Sequence, residues 1–252
     1  MQVIARKRFC VKIDIHSHIL PGIDDGARTM EDTVKMIEIA VQEGVEAIIT
    51  TPHYKAGMKE ELSLKYQQVF DKVSQYITSH QIPLKLYQGN EVYYSESIPE
   101  LLSKNAVRTL NGTRYVLVEF STGMGYLSIQ RSLNALLYAG YWPVVAHTER
   151  YSALREIKKI DELIKMGAYI QLNMNAIIGK EGWRTKRFCK KLLKNEMVHV
   201  IATDAHGSRH RAPKIKACLK YIDKKFGKVY RKRISEENPL KILEGEKING
   251  KN

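Results

Sequence analysis

Short apolar runs that end in polar residues recur along the chain. They are VKIDI (11–15), VEAIITT (45–51), LKLYQ (84–88), YVLVE (115–119), PVVAH (143–147), AYIQL (168–172) and VHVIAT (198–203). Several are apolar almost throughout, the mark of parallel strands covered on both faces. Between them lie stretches of helical period at 60–80, 127–139, 155–166, 184–195 and 213–225. A further helix follows the first run. There Thr29 is placed as an N-cap with Asp32 three positions on, a variant of the capping box. Met30, Val34, Ile37 and Val41 form one apolar face, and Gly44 ends the helix. Strand and helix alternate seven times, which predicts an α/β fold with a parallel sheet and helices outside it. Seven such units in 252 residues suit a closed or nearly closed barrel better than the alternative, an open doubly wound sheet.

Composition narrows this picture. Apolar residues make up 44% of the chain, enough for a sizeable core, and no repeat, low-complexity tract or Pro/Gly/Ser-rich linker divides it. The start has basic residues but no apolar stretch or cleavage site after them, so no signal peptide is expected. No run approaches the roughly 20 apolar residues of a membrane span, and a cytoplasmic protein is expected. Cys10, Cys189 and Cys218 are odd in number and form no CxxC pair, which fits buried reduced thiols. None has an arginine six positions on, so the loop of a cysteine-nucleophile phosphatase is absent. The net charge of +14 favours anionic partners. Its densest run, Lys224 to Arg233, lacks the interleaved aromatics of a single-strand stacking platform and reads as a solvated helix end. No stable nucleic-acid complex is expected.

The chemistry lies in what terminates each strand. The first ends in His16-Ser17-His18, the second in Thr51-Pro52-His53 and the third in Gly89-Asn90-Glu91. Glu119 ends the fourth, His147 the fifth and Asp204-Ala205-His206 the seventh. In a barrel these ends share one rim, where the βα-loops build active sites. Five of the eight histidines thus converge with several carboxylates and no thiolate, a donor set suited to Mn²⁺, Fe or Zn²⁺. So many ligands exceed the need of one ion, and a carboxylate such as Glu91 can bridge two. Asp24 and Asp25 add a carboxylate loop after the first strand, or serve as turn residues. Paired ions, about 3.5–4 Å apart, clamp the attacking and departing oxygens of a phosphoryl displacement, so a phosphoester hydrolase is expected.

HSHILPGIDDG, TTPHY, GNEVYY, VEFS, AHTERY and ATDAH together resemble the PHP-type metal-dependent phosphoesterases (polymerase and histidinol phosphatase). They look most like the bacterial PHP-type protein-tyrosine phosphatases of capsule and exopolysaccharide synthesis. The match runs from about Ile13 to Asn238-Pro239. The resemblance implies a single PHP domain over 1–252, folded as a distorted seven-stranded β/α barrel of TIM-barrel type. Residues 1–10 would be an N-terminal extension and 240–252 a C-terminal tail. It also implies two or three ions, most often Mn²⁺. His16, His18, Glu91 and Asp204 would surround one, Glu91 would bridge to a second held by Glu119 and His147, and Asp25, His53 and His206 would surround a third. The implied substrate is the phosphorylated tyrosine-rich tail of a bacterial tyrosine kinase. Arg150 and Arg211 suit a substrate role, as guanidinium forks on phosphate oxygens, or are surface arginines of a basic protein. Tyr93 and Tyr94 suit either stacking on a phosphotyrosine ring or packing at the rim. Two other readings are a small-molecule phosphatase of the histidinol-phosphate type and a nucleic-acid-associated nuclease module.

Overall fold

A computed structural model describes residues 11–58 and 60–249. Residues 1–10, with Cys10 and the expected extension, lie outside the described residues. The strands are β1 (Ile13–Ser17), β2 (Ala47–Thr50), β3 (His53–Lys55), β4 (Lys85–Gln88), β5 (Glu91–Tyr93), β6 (Tyr115–Glu119), β7 (Trp142–Val145), β8 (Tyr169–Asn173) and β9 (Val200–Ala202). The helices are α1 (Met30–Glu43), α2 (Glu60–Ser79), α3 (Ile98–Ser103), α4 (Tyr126–Tyr138), α5 (Ile157–Met166), α6 (Met174–Ile178), α7 (Trp183–Lys194), α8 (Lys216–Phe226), α9 (Lys228–Lys232) and α10 (Asn238–Glu244).

Pairing is parallel throughout, in the orders β1-β2-β4 and β3-β5-β6-β7-β8-β9. Two strands break where the sequence predicts continuity. The chain passes from β2 to β3 through Thr51-Pro52 and from β4 to β5 through Gly89-Asn90, so the adjacent breaks lie side by side. Proline lacks the N–H a ladder requires, and the Pro52 carbonyl accepts from Asn90 Nδ2 at 3.0 Å as well as from the Glu91 N–H at 3.1 Å. Counting each broken pair as one position leaves the seven expected. The ends β1 and β9 meet through a parallel bridge, Ser17 to Ala205, and the Asp204 N–H donates to the His16 carbonyl at 2.9 Å. Lower on that seam, Asp14 accepts from the Thr203 backbone N–H at 3.0 Å and from its hydroxyl.

The core has two parts. Ile13, Ile15, Ala47, Ile49, Leu117, Val144 and Val200 fill the space inside the strands. Ile48, Val116, Val118, Val145, Ile170 and Ile201 point the other way and pack beneath the helices. This alternation along parallel strands is why the runs read as apolar on both faces. In α1, Thr29 accepts from the Asp32 N–H at 3.2 Å and Gly44 adopts left-handed φ, as expected. The buried face is centred on Thr33, Met36, Ile37 and Ala40, with Met30 and Val41 at its margins and Val34 half-buried.

Beyond Asn238 the chain seals the lower end of the barrel. Ile242 and Ile248 join the interior core. The Tyr115 hydroxyl donates to the Glu246 carbonyl and accepts from the Ile248 N–H, both at 2.8 Å. The stretch 240–249, a tail by sequence, is therefore packed structure. The basic run from Lys224 is likewise only partly solvated. Tyr230 and Arg231 are buried, and Arg231 pairs with Asp223 at 3.0 Å and with Glu236. No helix among the described residues is long and apolar enough to cross a membrane.

Candidate metal centre

All nine predicted ligands come together at the upper rim, brought there by six strands or the loops beside them, with His16, His18 and Asp25 from β1 and its loop and Asp204 and His206 after β9. β1 needs a device to deliver its pair. With Ile13 and Ile15 facing inward, strict alternation would aim His16 and His18 out under the helices. The register prevents this. Asp14 to Ser17 spans three steps where the facing Ile48 to Thr50 spans two. This β-bulge inserts one residue and resets the alternation, so Ile15 and His16 both face inward and His18 follows. His147 (φ 30°) and Asp204 (φ 51°) take left-handed backbone, which costs a non-glycine residue free energy and clusters at functional sites.

Four donors surround one point. His16 Nε2 lies 3.2 Å from His18 Nε2, 3.2 Å from Glu91 Oε2 and 3.3 Å from Asp204 Oδ1. A second group joins Glu91 to Glu119, His147 and His53. His147 Nε2 stands 2.7 Å from Glu91 Oε1 and 3.6 Å from Glu119 Oε1, and His53 Nδ1 stands 3.0 Å from Glu91 Oε2. The third comprises His18, Asp25, His53 and His206, with Asp25 Oδ1 3.3 Å from His53 and 3.4 Å from His206. Glu91 thus faces two groups, as its expected bridging position requires, while His18 and His53 also border more than one.

These residues fit metal ions on two counts. Ligand bonds of about 2.0–2.2 Å place neighbouring donors on one ion roughly 3 Å apart, the spacing seen here. In addition, Asp204 Oδ1 and His53 Nδ1 are buried without a hydrogen bond, though other donors of the set surround them. Buried polar atoms left so are costly unless something else satisfies them.

Charge tells the same story. Burial opposes ionisation of Glu91, yet His16, His147 and His18 outweigh it and hold its carboxyl well below the usual range. Burial likewise opposes protonation of His18, but Asp24 and Glu91 push its pKa up to about 10. Burial and the adjacent His18 charge lower His206 to about 4. The carboxylates therefore draw protons onto imidazoles whose donor atoms an ion would use, so ion binding must release protons.

Both predicted arginines reach the site through one carboxylate oxygen. Asp204 Oδ2 lies 3.0 Å from Arg150 Nη2 and 2.5 Å from Arg211 Nη2. The remaining tyrosines split: Tyr94 packs on Phe120 with ring centroids 5.9 Å apart, and Lys55 sits over the Tyr93 ring at 5.1 Å. His199, away from the site, is half-buried and accepts from the Ile170 N–H at 3.0 Å.

Sequence reasoning missed a supporting tier. Asp24 is the more buried of the two loop aspartates. It takes the outer nitrogen of His18 at 2.6 Å and the His53 N–H at 3.1 Å. β8 supplies no ligand, yet Gln171 and Asn173 face inward from it. Gln171 Oε1 accepts from the His147 N–H at 2.7 Å and meets His16 Nδ1 at 3.3 Å. Gln171 Nε2 donates to Asn173 Oδ1 at 2.9 Å, and Asn173 Nδ2 donates to Asp204 Oδ2 at 2.8 Å. Partners of this kind fix ligand orientation and tautomer. The signal available was a polar side chain at each inward position of the end of β8. Glu149 belongs to the same tier, accepting from the Asn173 N–H at 3.2 Å, and burial with nearby Glu181 raises its pKa to about 8.

Residues 12–244 match the family model described as capsular polysaccharide synthesis, CpsB/CapC. The chain belongs to the CpsB/CapC family. Among CpsB/CapC relatives, the tyrosine-protein phosphatase CpsB of Streptococcus pneumoniae is 35% identical, over 92% of this chain and 98% of its own. The tyrosine-protein phosphatase YwqE of Bacillus subtilis is 32% identical, over 85% of each. A crystal structure from work on YwqE and CpsB, described as unique metal-dependent tyrosine phosphatases, superposes with a TM-score of 0.88 at 30% identity, covering 94% of this chain and 96% of the other. More distant likenesses concern the fold alone. A phosphotriesterase homology protein from Escherichia coli aligns over 93% of this chain and 99% of its own with a TM-score of 0.57 at 12% identity. A lactonase from Listeria monocytogenes aligns over 95% and 96% with a TM-score of 0.60, also at 12% identity. This CpsB/CapC chain is accordingly a metal-dependent phosphatase on a TIM-barrel-like fold.

Proposed function

We propose that this chain hydrolyses phosphotyrosine in the tyrosine-rich tail of a bacterial tyrosine kinase linked to polysaccharide synthesis, using two or three Mn²⁺ ions. The observation that carries the reading is the convergence of five imidazoles and four carboxylates on one rim beside two guanidinium groups. The ligands are His16, His18, Asp25, His53, Glu91, Glu119, His147, Asp204 and His206. Divalent ions held there would neutralise phosphoryl charge and ease deprotonation of the attacking water.

The chain's own groups do the rest. Arg150 and Arg211 each keep N–H donors beyond the one on Asp204. A phosphate seated at the rim takes these forks on its non-bridging oxygens, which orients the ester and stabilises the charge that develops in transit. Glu149 and Asn173 hold the base of that arrangement in place. A phenolate of pKa near 10 departs without a dedicated strong acid, whereas a serine alkoxide would need one. Cys189 and Cys218 take no part, because burial pushes both well above the ordinary thiol range. Those two buried, unbridged thiols also suit a reducing cytoplasm.

A protein tail suits the surroundings better than a small metabolite. Beside His53 lies an open cavity of about 560 Å³ whose walls include Tyr54, Met58, Leu62 and Tyr66, a mixed apolar and aromatic surface for residues flanking the phosphotyrosine. Metal removal is the direct test. Chelation is expected to abolish hydrolysis of an aryl phosphate, Mn²⁺ to restore it, and thiol alkylation to leave it intact. Activity that survives exhaustive chelation would sink the mechanism.

A further inference from the structure

A second cavity, of about 630 Å³, has His206 and Arg211 in its wall where the first has His53. Two segments build it. The loop after β1 supplies Arg28 and, from the first turns of α1, Lys35; the loop after β9 supplies Arg209 and His210. Four permanent cations thus face one carboxylate, Asp32. Two of the four are already engaged: Arg211 on Asp204 at 2.5 Å and Lys35 on Glu31 at 2.6 Å. Among the described residues, no ion pair involves Arg28 or Arg209. Arg209 and Lys35 stand close enough that each feels the other's charge. Like charges brought into one concavity are unfavourable until an anion joins them.

We infer that this basic bowl binds a second anionic group of the same substrate chain, a phosphate or a carboxylate a few residues from the phosphotyrosine under hydrolysis. The inference rests on the phosphotyrosine reading above and extends it to what flanks the reacting residue. The shared wall decides that both anions belong to one chain. His206 and Arg211 border the metal centre on one face and the bowl on the other, so a peptide crossing them meets both. Guanidinium forks match the planar or tetrahedral oxygens of such groups. Among the residues that line the bowl there is no tyrosine, tryptophan or phenylalanine, the side chains that build an extended base-stacking platform. A multiply phosphorylated tail would gain twofold from the arrangement: tighter hold at each turnover, and retention while a neighbouring phosphotyrosine moves into the centre.

Binding of non-hydrolysable peptides to the metal-loaded protein tests this without relying on turnover. Peptides carrying one phosphonate analogue of phosphotyrosine, two of them, or one plus a glutamate at the second position would be compared by titration calorimetry. The wild type is expected to bind the doubly anionic peptides at least about tenfold more tightly than the single one, phosphonate ahead of glutamate. In the Arg28→Ala/Arg209→Ala double variant that ratio should fall to about two or less. Both side chains are exposed, and a thermal melt checks that the variant folds. A second variant, Arg209→Glu alone, should reduce the ratio as well. An unchanged ratio in the folded variants, or no ratio in the wild type, overturns the bowl and leaves the phosphotyrosine reading standing. Failure of the singly modified peptide to bind at all overturns both.

Discussion

Gln171 concentrates the logic of the centre in one side chain. It is fully buried, carries no charge, and touches two ligand residues and one of their supports. Its carbonyl oxygen accepts from His147 N–H, and the same oxygen faces His16 Nδ1. A proton on Nδ1 leaves the lone pair of His16 on Nε2, where the other donors converge. Gln171→Leu keeps the volume and removes every one of these contacts. It is expected to weaken metal binding by about 10–100-fold, the usual effect of losing such a partner, as read by metal titration. Glutamine to glutamate should retain more affinity, because the acceptor survives. AYIQLN does place amides at two alternating positions, Gln171 and Asn173, but an amide on a strand is as consistent with a solvent-facing position as with a buried one. The candidate ligands were legible because histidine and carboxylate are rare at one strand end and improbable at six. Their supports were not, because what gives an amide its role is the partner, and the partners lie up to 155 residues away.

At the scale of elements, the strands and major helices were readable because apolar runs and helical periods are local. The β1 bulge was not. Period two does place His16 and His18 on one face, but it cannot say which face, and the register with β2 decides that. The loop between β1 and α1 is similar. Residue type alone does not separate the two adjacent aspartates, and only the resemblance singles out Asp25; Asp24 turns inward to His18 while Asp25 remains largely exposed near His53 and His206. Gly26 sets this geometry. A Cβ there would come within 2.1 Å of the His18 carbonyl oxygen, which already accepts from the Ala27 N–H at 3.0 Å. Gly26→Ala must therefore push the loop off the strand end and carry both aspartates with it. The expected outcome is a protein with a near-normal melting profile in its helices but less bound metal, measured by elemental analysis after dialysis. Full metal content in a folded Gly26→Ala protein would show that the loop tolerates the shift.

For the molecule as a whole, pH dependence separates the barrel wall from the metal site. His199 sits between β8 and the C-terminal helices, packed edge-on against Tyr169 with ring centroids 5.2 Å apart, and Asn238 donates to its carbonyl at 2.8 Å. Burial, with Arg233 nearby, lowers its pKa from 6.5 to about 4. The unfolded chain then binds this proton more readily than the folded one. Folding loses stability as pH falls from 6.5 towards 4, and is unaffected by this group above 7. Between pH 7 and 5 the loss from His199 alone is about 2 kcal/mol. Urea unfolding of the wild type and of His199→Asn at both pH values isolates the effect, since the ligand histidines are common to both. Equal pH dependence in the two proteins would remove His199 as the cause.

Along its axis the barrel is made of two different materials. The lower part is hydrocarbon, plugged by Ile242 and Ile248 and tied by the Tyr115 hydroxyl. The upper part is imidazole, amide and carboxylate, with almost no apolar contact among its inward side chains. Cohesion below follows from excluding water; cohesion above depends on charges that oppose one another in the wrong protonation state. Stability in such a molecule is graded rather than uniform, and openings too small to unfold it concentrate where packing is thinnest. Cohesion at the rim therefore answers to protonation state and bound ions, whereas cohesion at the base answers to burial alone.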